Sequence, residues 1–506
     1  MVILLATMPI LVAIVALAVL RRSGLQAGLI TLIAAILLAL LAPFFNLPPV
    51  QLLIAVGTGV GASLVVLFIL FPGLLLYQLL RATGGMSVLA RGVANLSPDL
   101  NLQVLLLVLG LAPFVESVSG FGLGTVVVVP IIVALDIDAP RAALLGTLGQ
   151  VAVPWGALAI GTALGAQLTG LDPNMLGANT ALLTAPLPAC CGLLALVIGG
   201  GWPALRRWWL PALLAGAILV GGEWLFSQVP GIELAGALAS ALVIAVLAIW
   251  GRVTRLEVPE QGKMHEGGLN QPVEDGHVEG NSRLWQALAP YAILTVLLLI
   301  SRLIVPFRSW LQMHAVLAVP VINLRLPLLY TPGFWVLLAT LMVIPLLGSG
   351  SAGLAKVTSQ TWQQFLPGAV AIVCFLAAAQ VMSNSGMMAA LGAAAAALGS
   401  GYGWTAPWLG ALGGWLTGSN TGGNAMFALL QQEASVRSGL PLNWVMAAQN
   451  GAGSIATMVA PARTILAATA AGLVKGEGFL LRKMGPFVLA AVVVIMLLLI
   501  WVISPH

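Results

Sequence analysis

Between Val357 and Gln432 the chain runs for 76 residues without one charged side chain, and Leu25 to Leu80 is a second such stretch. A helix needs roughly 20 apolar residues to cross a bilayer, so each stretch is long enough for two or more crossings. Inside lipid every backbone N–H and C=O must find a partner within the protein, which leaves only helices and closed barrels. Barrel strands need short segments that alternate apolar and polar residues, and these runs are continuous, so helices remain. Composition agrees: only 7% of the 506 residues are charged, against about 25% in ordinary soluble domains. The net charge of +5 falls on loop arginines that orient spans and gives no reason to expect nucleic acid.

Seventeen apolar runs can be marked between 2–20 and 485–503. Several, such as 100–116, 121–135, 386–398 and 404–418, are too short or too interrupted to cross alone. The fold expected is an all-α polytopic membrane protein with broken or re-entrant helices and about 12–14 transmembrane helices. The first run lacks a basic flank before it, and Arg21 and Arg22 follow it, so it reads as an uncleaved span and not as a signal peptide. Cys190, Cys191 and Cys374 have no metal-ligand spacing and read as small apolar helix residues. No metal site or cofactor is expected.

The segments divide into N-terminal helices over 1–50, a first repeat over 51–205 and connecting helices over 206–250. A polar cytoplasmic linker over 251–283 follows, then further helices over 284–350 and a second repeat over 351–506. The linker holds Glu257, Glu260, Glu266, Glu274, Asp275 and Glu279 with His265 and His277, which read as solvated loop residues. Arg21, Arg22, Arg81, Arg91, Arg206, Arg207, Lys356 and the 475–483 cluster fit one cytoplasmic face, and the uncharged 43–51 loop fits the other. Arg302, Arg308 and Arg325 are exceptions to that scheme.

Sliding the chain against itself by 300 residues lays Ser119-Gly120-Phe121-Gly122 on Ser419-Asn420-Thr421-Gly422, and Gln150 on Asn450. Pro140 meets Pro441 and Gly85 meets Gly386 at a lag of 301, and Gln78 meets Gln380 at 302. The span ending at Arg81 and its counterpart starting near Lys356 run in opposite directions. Two inverted-topology repeats are therefore expected, with a site between them near the bilayer midplane.

The repeats align on two polar, glycine-loosened breaks: "FVESVSGFGLGT" (114–125) and "LTGSNTGGNAMF" (416–427). A helix that restarts after a break presents free N–H groups and a positive dipole end, which suits a small anion. Ser119, Gly120, Ser419, Asn420, Thr421 and Asn424 are the candidate substrate-binding residues there. The other reading of such small residues is close helix packing. Glu116, between apolar residues and the first break, reads as a proton carrier or as a permanently paired structural carboxylate. Arg463, in "VAPARTIL", reads either as a partner for a substrate carboxylate or as the neutraliser of Glu116. Gln150 and Asn450 line the cavity or hydrogen-bond between helices. Glu433 reads as a helix salt bridge to Arg437. Glu223 and Glu233 read as interfacial.

Several of these residues carry a resemblance to the bacterial L-lactate permease family, which includes glycolate permeases. They are Phe114-Val115-Glu116 with Gly120-Phe121-Gly122, the "LTGSNTGGNAMF" stretch, "AAQNGAGSIATMVAP" (447–461) and "AAGLVKGEG" (470–478). The chain departs from the family pattern at Ala460-Pro461-Ala462-Arg463, where the arginine alters the anion chemistry. The resemblance implies proton-coupled symport of a small 2-hydroxymonocarboxylate (L-lactate, D-lactate or glycolate) by a multi-pass protein of the bacterial inner membrane. It also implies kinship with ion-transporter folds whose Ser-Asn-Thr tips hold carboxylates and sometimes sodium. The alternative is accordingly a sodium-coupled or other carboxylate carrier, and a channel shares the symmetry. A lipid-modifying enzyme would need a catalytic acid or metal cluster near a headgroup, and intramembrane acids are scarce. The expected partners are a small carboxylate and the lipid bilayer, with the chain a monomer or homodimer.

Overall fold

The computed structural model describes residues 1–254, 280–322, 324–346, 351–473 and 476–504, and these are helical almost throughout. Helices α1 (Val2–Ile14) and α2 (Gly24–Leu41) lead into the long α3 (Pro49–Ala82), followed by α4 (Gly85–Ala94), α5 (Leu100–Leu105), α6 (Ala112–Ser119) and α7 (Leu123–Ala134). Then come α8 (Ala139–Leu148), α9 (Gly156–Thr169), α10 (Pro173–Leu183), α11 (Pro186–Phe226) and α12 (Ile232–Thr254). The second stretch opens with α13 (Gly280–Leu303) and α14 (Val305–Met313), then strands β1 (Val316–Val319) and β2 (Leu324–Pro327), then α15 (Pro332–Val343) and α16 (Ser351–Asn384). It closes with α17 (Met387–Ala396), α18 (Tyr402–Thr417), α19 (Asn420–Ser438), α20 (Leu442–Ala456), α21 (Pro461–Ala470) and α22 (Glu477–Ile503). The polar linker read over 251–283 lies outside the described residues, save for its two helical ends.

Among the described residues, ten helical segments are long and apolar enough to cross a bilayer, and three shorter apolar helices accompany them. The chain is a polytopic helical membrane protein. The 12–14 crossings expected compare with these ten segments and the three shorter helices α7, α15 and α17. The all-α reading also missed the antiparallel hairpin, in which Val316 pairs with Pro327 and Val319 with Leu324.

Burial separates an inner from an outer set. The segments Leu100–Ser119 and Ala139–Thr169 are mostly buried, whereas most residues of α1 and α22 are at least partly exposed. Lipid offers little hydrophobic drive between helices, so packing relies on small residues that let backbones approach. Gly59 of α3 lies on the Ala377 backbone of α16, and Gly414 of α18 lies on the Gly453 carbonyl of α20. These contacts hold α3 to α16 and α18 to α20.

Charged side chains follow the same economy. Arg302 is buried, donates to Glu233 Oε1 at 3.0 Å and to the Tyr330 carbonyl, and stacks 3.8 Å over the Tyr330 ring. Its pairing removes it from the free positive charges that orient spans. Glu433 meets Arg437 at 3.2 Å, as the four-residue spacing requires. Glu223, read as interfacial, is buried within the protein, in the last turn of α11.

A methyl group at Gly414 has no room beside the Gly453 carbonyl, while Gly485 in α22 faces open space. Gly414→Ala is expected to cost about 1–3 kcal/mol through overpacking. Gly485→Ala should leave stability unchanged or raise it by about 0.5–1 kcal/mol, since alanine favours helix. Thermal unfolding of the two variants in detergent measures the contrast.

Candidate functional site

The first break is glycine-driven. Helix α6 ends at Ser119; Gly120 (φ 68°, ψ −162°) then takes a conformation open essentially to glycine alone. Phe121 (φ 58°) and Gly122 (φ 79°) are left-handed, and α7 begins at Leu123. For Phe121 that conformation costs about 1–2 kcal/mol. Glu116, one turn before the break, reaches forward to the restarting helix. Its Oε1 accepts from the Gly122 N–H at 3.1 Å and its Oε2, at a longer 3.5 Å, from the Gly124 N–H. A carboxylate thus sits at the positive end of α7. The N–H groups expected to receive an anion at this tip are already taken by the chain's own acid.

The second break keeps its donors. Helix α18 ends at left-handed Gly418, and extended Ser419 caps α19, its Oγ accepting from the Gly422 N–H at 3.4 Å. Among the described residues nothing accepts from the N–H groups of Asn420 and Thr421, the first two residues of α19. They point out of the positive end of that helix.

Arg463, from the first turn of α21, joins the two breaks. Its Nη1 donates to Glu116 Oε1 at 3.1 Å and its Nε to the Gly418 carbonyl at 2.8 Å. The two side chains are 7% and 2% exposed, so the pair is screened little by water. Of the two readings open for Arg463, this conformation shows the pairing with Glu116. Nη2 makes no hydrogen bond among the described residues, and Arg463 borders a cavity.

That cavity measures about 40 Å³ and is lined by Glu116, Gly120, Ser419, Asn420, Thr421 and Arg463, with apolar wall residues from α3, α9 and α16. A single water needs roughly 10–15 Å³ by the same measure, so the space suits a ligand of a few heavy atoms. The α9 wall is unusual. Ala157, Leu158 and Ala159 all have positive φ (41°, 56° and 60°), a left-handed turn without glycine. Gly161 follows, and the second tip presses close: a side chain there would meet Asn420 Nδ2 and the Thr421 N–H.

The remaining candidates stand behind the cavity. Asn450 Oδ1 accepts from Asn420 Nδ2 at 2.8 Å and Asn424 Nδ2 at 2.9 Å, while its Nδ2 donates to Thr162 Oγ1 at 2.9 Å and Thr180 Oγ1 at 3.0 Å. Asn424 also donates to the Gly161 carbonyl at 2.9 Å. Gln150 donates to Thr125 Oγ1 at 3.1 Å. Asn424, Asn450 and Gln150 therefore brace helices, and Ser119 is buried off the cavity. Sequence reasoning missed Phe121, Gly156, Ala157, Gly161 and the supporting Thr162 and Thr180. The "PWG" at 154–156 was a break signal that could have found the α9 wall.

The L-lactate permease family model matches residues 2–327 and 315–504. The chain belongs to the L-lactate permease family. The glycolate permease GlcA of Escherichia coli (strain K12) is 29% identical over 95% of this chain and 91% of its own length. The L-lactate permease of Salmonella typhimurium is 26% identical over 95% and 92%. That of Bacillus subtilis (strain 168) is 25% identical over 94% and 91%. The family and the ten apolar helices make this a multi-pass bacterial membrane protein.

Breaking a buried ion pair from one side costs about 3–5 kcal/mol, whereas replacing both partners can be nearly neutral. Arg463→Met should therefore lower the melting temperature in detergent sharply, because the Glu116 carboxylate loses its counter-charge. Glu116→Gln with Arg463→Met should recover most of that loss, since glutamine still accepts from the Gly122 N–H. A double-mutant cycle on the melting temperatures checks this coupling.

Proposed function

We propose that this member of the L-lactate permease family carries a small 2-hydroxymonocarboxylate, lactate or glycolate, together with a proton. The observation behind the reading is the Glu116–Arg463 pair in the cavity wall, held where the two broken helices meet. The pair sums to zero charge. A substrate carboxylate entering beside it would leave one uncompensated negative charge in a site with little water, which is costly.

A proton on Glu116 restores neutrality. It also frees Arg463 Nη1, so that the planar guanidinium can take the incoming carboxylate on two N–H groups. The Ser419 and Thr421 hydroxyls and the N–H groups of Asn420 and Thr421 offer partners for the second carboxylate oxygen and the 2-hydroxyl. Substrate and proton each favour the state that the other binds, and this reciprocity is what couples their movement. The relatives are permeases for two- and three-carbon acids, in keeping with the small cavity. Two inverted repeats, one carrying each break, would give the alternating access that such a carrier needs.

In proteoliposomes, uptake of labelled lactate or glycolate is expected to rise with an inward proton gradient and to be unchanged when choline replaces sodium. Uptake that ignores the pH gradient, or that vanishes without sodium, refutes proton coupling. Glu116→Gln mimics the protonated state and should keep substrate counterflow while losing proton-driven accumulation. Arg463→Gln should raise the half-saturating concentration on the order of a hundredfold, the usual scale for losing one partner of a desolvated charged contact.

A further inference from the structure

A second and larger cavity, about 730 Å³, opens between the end of α3 and the start of α16. Gln78, Arg81, Lys356, Gln360, Gln363 and Gln364 line it. Two cations and four amides gather there with no acid lining the cavity among the described residues, in a chain that is only 7% charged. Such a concave basic surface focuses its field and concentrates small anions. At its inner side Gln78 Nε2 donates to Gln364 Oε1 at 2.6 Å, tying the two helices together.

The same helix pair lines the central cavity through Leu70 and Ile372. Gln78 lies eight residues beyond Leu70 on α3, and Gln364 eight residues before Ile372 on antiparallel α16. Eight helical residues span about 12 Å, so the two cavities lie roughly two turns apart along one seam. The seam between these levels is aromatic: Phe71 and Phe365 meet edge to face at 5.3 Å, and the Phe121 ring approaches Gly368.

At the opposite end the pair is shut. Gly59 rests on the Ala377 backbone, and Ile322 beside the hairpin strands covers Gly57 and Gly61. The helix pair therefore borders a cavity at one end and packs backbone to backbone at the other.

We propose that the Arg81–Lys356 vestibule is a transit site for the carried anion. Small carboxylates would pass between it and the central cavity through a seam closed by the Gln78–Gln364 hydrogen bond and Phe121. The identity of the anion rests on the carrier reading above; the electrostatic character of the vestibule does not. The cations serve rate and apparent affinity from this face, and the Glu116–Arg463 site sets binding itself.

The test places a cysteine at the vestibule, Gln360→Cys, in a background where Cys190, Cys191 and Cys374 are alanine. Gln363→Cys serves as a second reporter should the first fold poorly. Negatively charged 2-sulfonatoethyl methanethiosulfonate should label it faster than the positively charged trimethylammonium reagent, on the order of tenfold at low salt and less at high salt. Arg81→Gln with Lys356→Gln should abolish that preference. The same pair should raise the half-saturating lactate concentration severalfold from this face and leave it unchanged from the other. Equal labelling by both reagents, or a preference that survives the double substitution, overturns the vestibule. Unaltered half-saturation from both faces overturns its role in transit. A charge preference in a protein that moves neither lactate nor glycolate upholds the anion vestibule and sinks the carrier reading instead.

Discussion

The centre of this molecule depends on one ion pair. Glu116 and Arg463 lie 347 positions apart in sequence yet meet at 3.1 Å, both almost wholly withdrawn from water. Each also holds a piece of backbone that has left its helix: Glu116 accepts from the Gly122 N–H, and Arg463 donates to the Gly418 carbonyl. Broken helices are tolerated at membrane depth only where protein satisfies the freed groups. Here one pair of opposite charges does so for both breaks at once. Disturbing either charge therefore acts on two helix ends, and it is this linkage that gives a proton or a carboxylate leverage over the packing around the cavity.

A second layer makes the first rigid. Asn450 uses both its amide oxygen and its amide nitrogen, engaging Asn420, Asn424, Thr162 and Thr180. Unpaired buried amides are expensive, so a hub with its hydrogen-bonding capacity filled fixes its neighbours in one arrangement. The result positions Asn420 at the start of α19, its side-chain amide held by Asn450 and its backbone N–H left without an acceptor among the described residues. Uncharged groups suit this task, since they can be buried when paired without the desolvation penalty of ions.

Much of this was legible in the sequence, for identifiable reasons. Long uncharged runs dictated helices in lipid, and the two glycine-rich breaks announced themselves because polar residues and glycine are conspicuous against so apolar a background. Glu116 and Arg463 stood out for the same reason, and six of the ten candidate residues line one cavity. What stayed hidden was tertiary. Asn450 was open between lining the cavity and bonding between helices, and only the tertiary packing makes it a brace for Asn420 and Asn424. Ser119 sits in the same motif as Gly120 yet is buried off the cavity. The burial of Glu223 within the protein was also invisible locally.

The Ala157–Leu158–Ala159 turn was the least readable feature, and its physics is the most revealing. Alanine and leucine are the best right-handed helix formers, and each left-handed residue costs about 1–2 kcal/mol. Local preference therefore opposes the observed backbone three times in succession. It persists because its surroundings over-determine it. Ala157 packs on Gly120 of the first break, Thr162 Oγ1 donates back to the Pro154 carbonyl at 2.6 Å, and Asn450 holds Thr162 in place. The strained wall is thus clamped by the first break on one side and by the asparagine hub of the second half on the other. A change that separates the two breaks loosens both clamps together, so the strain in this wall adds to whatever free energy opens the cavity.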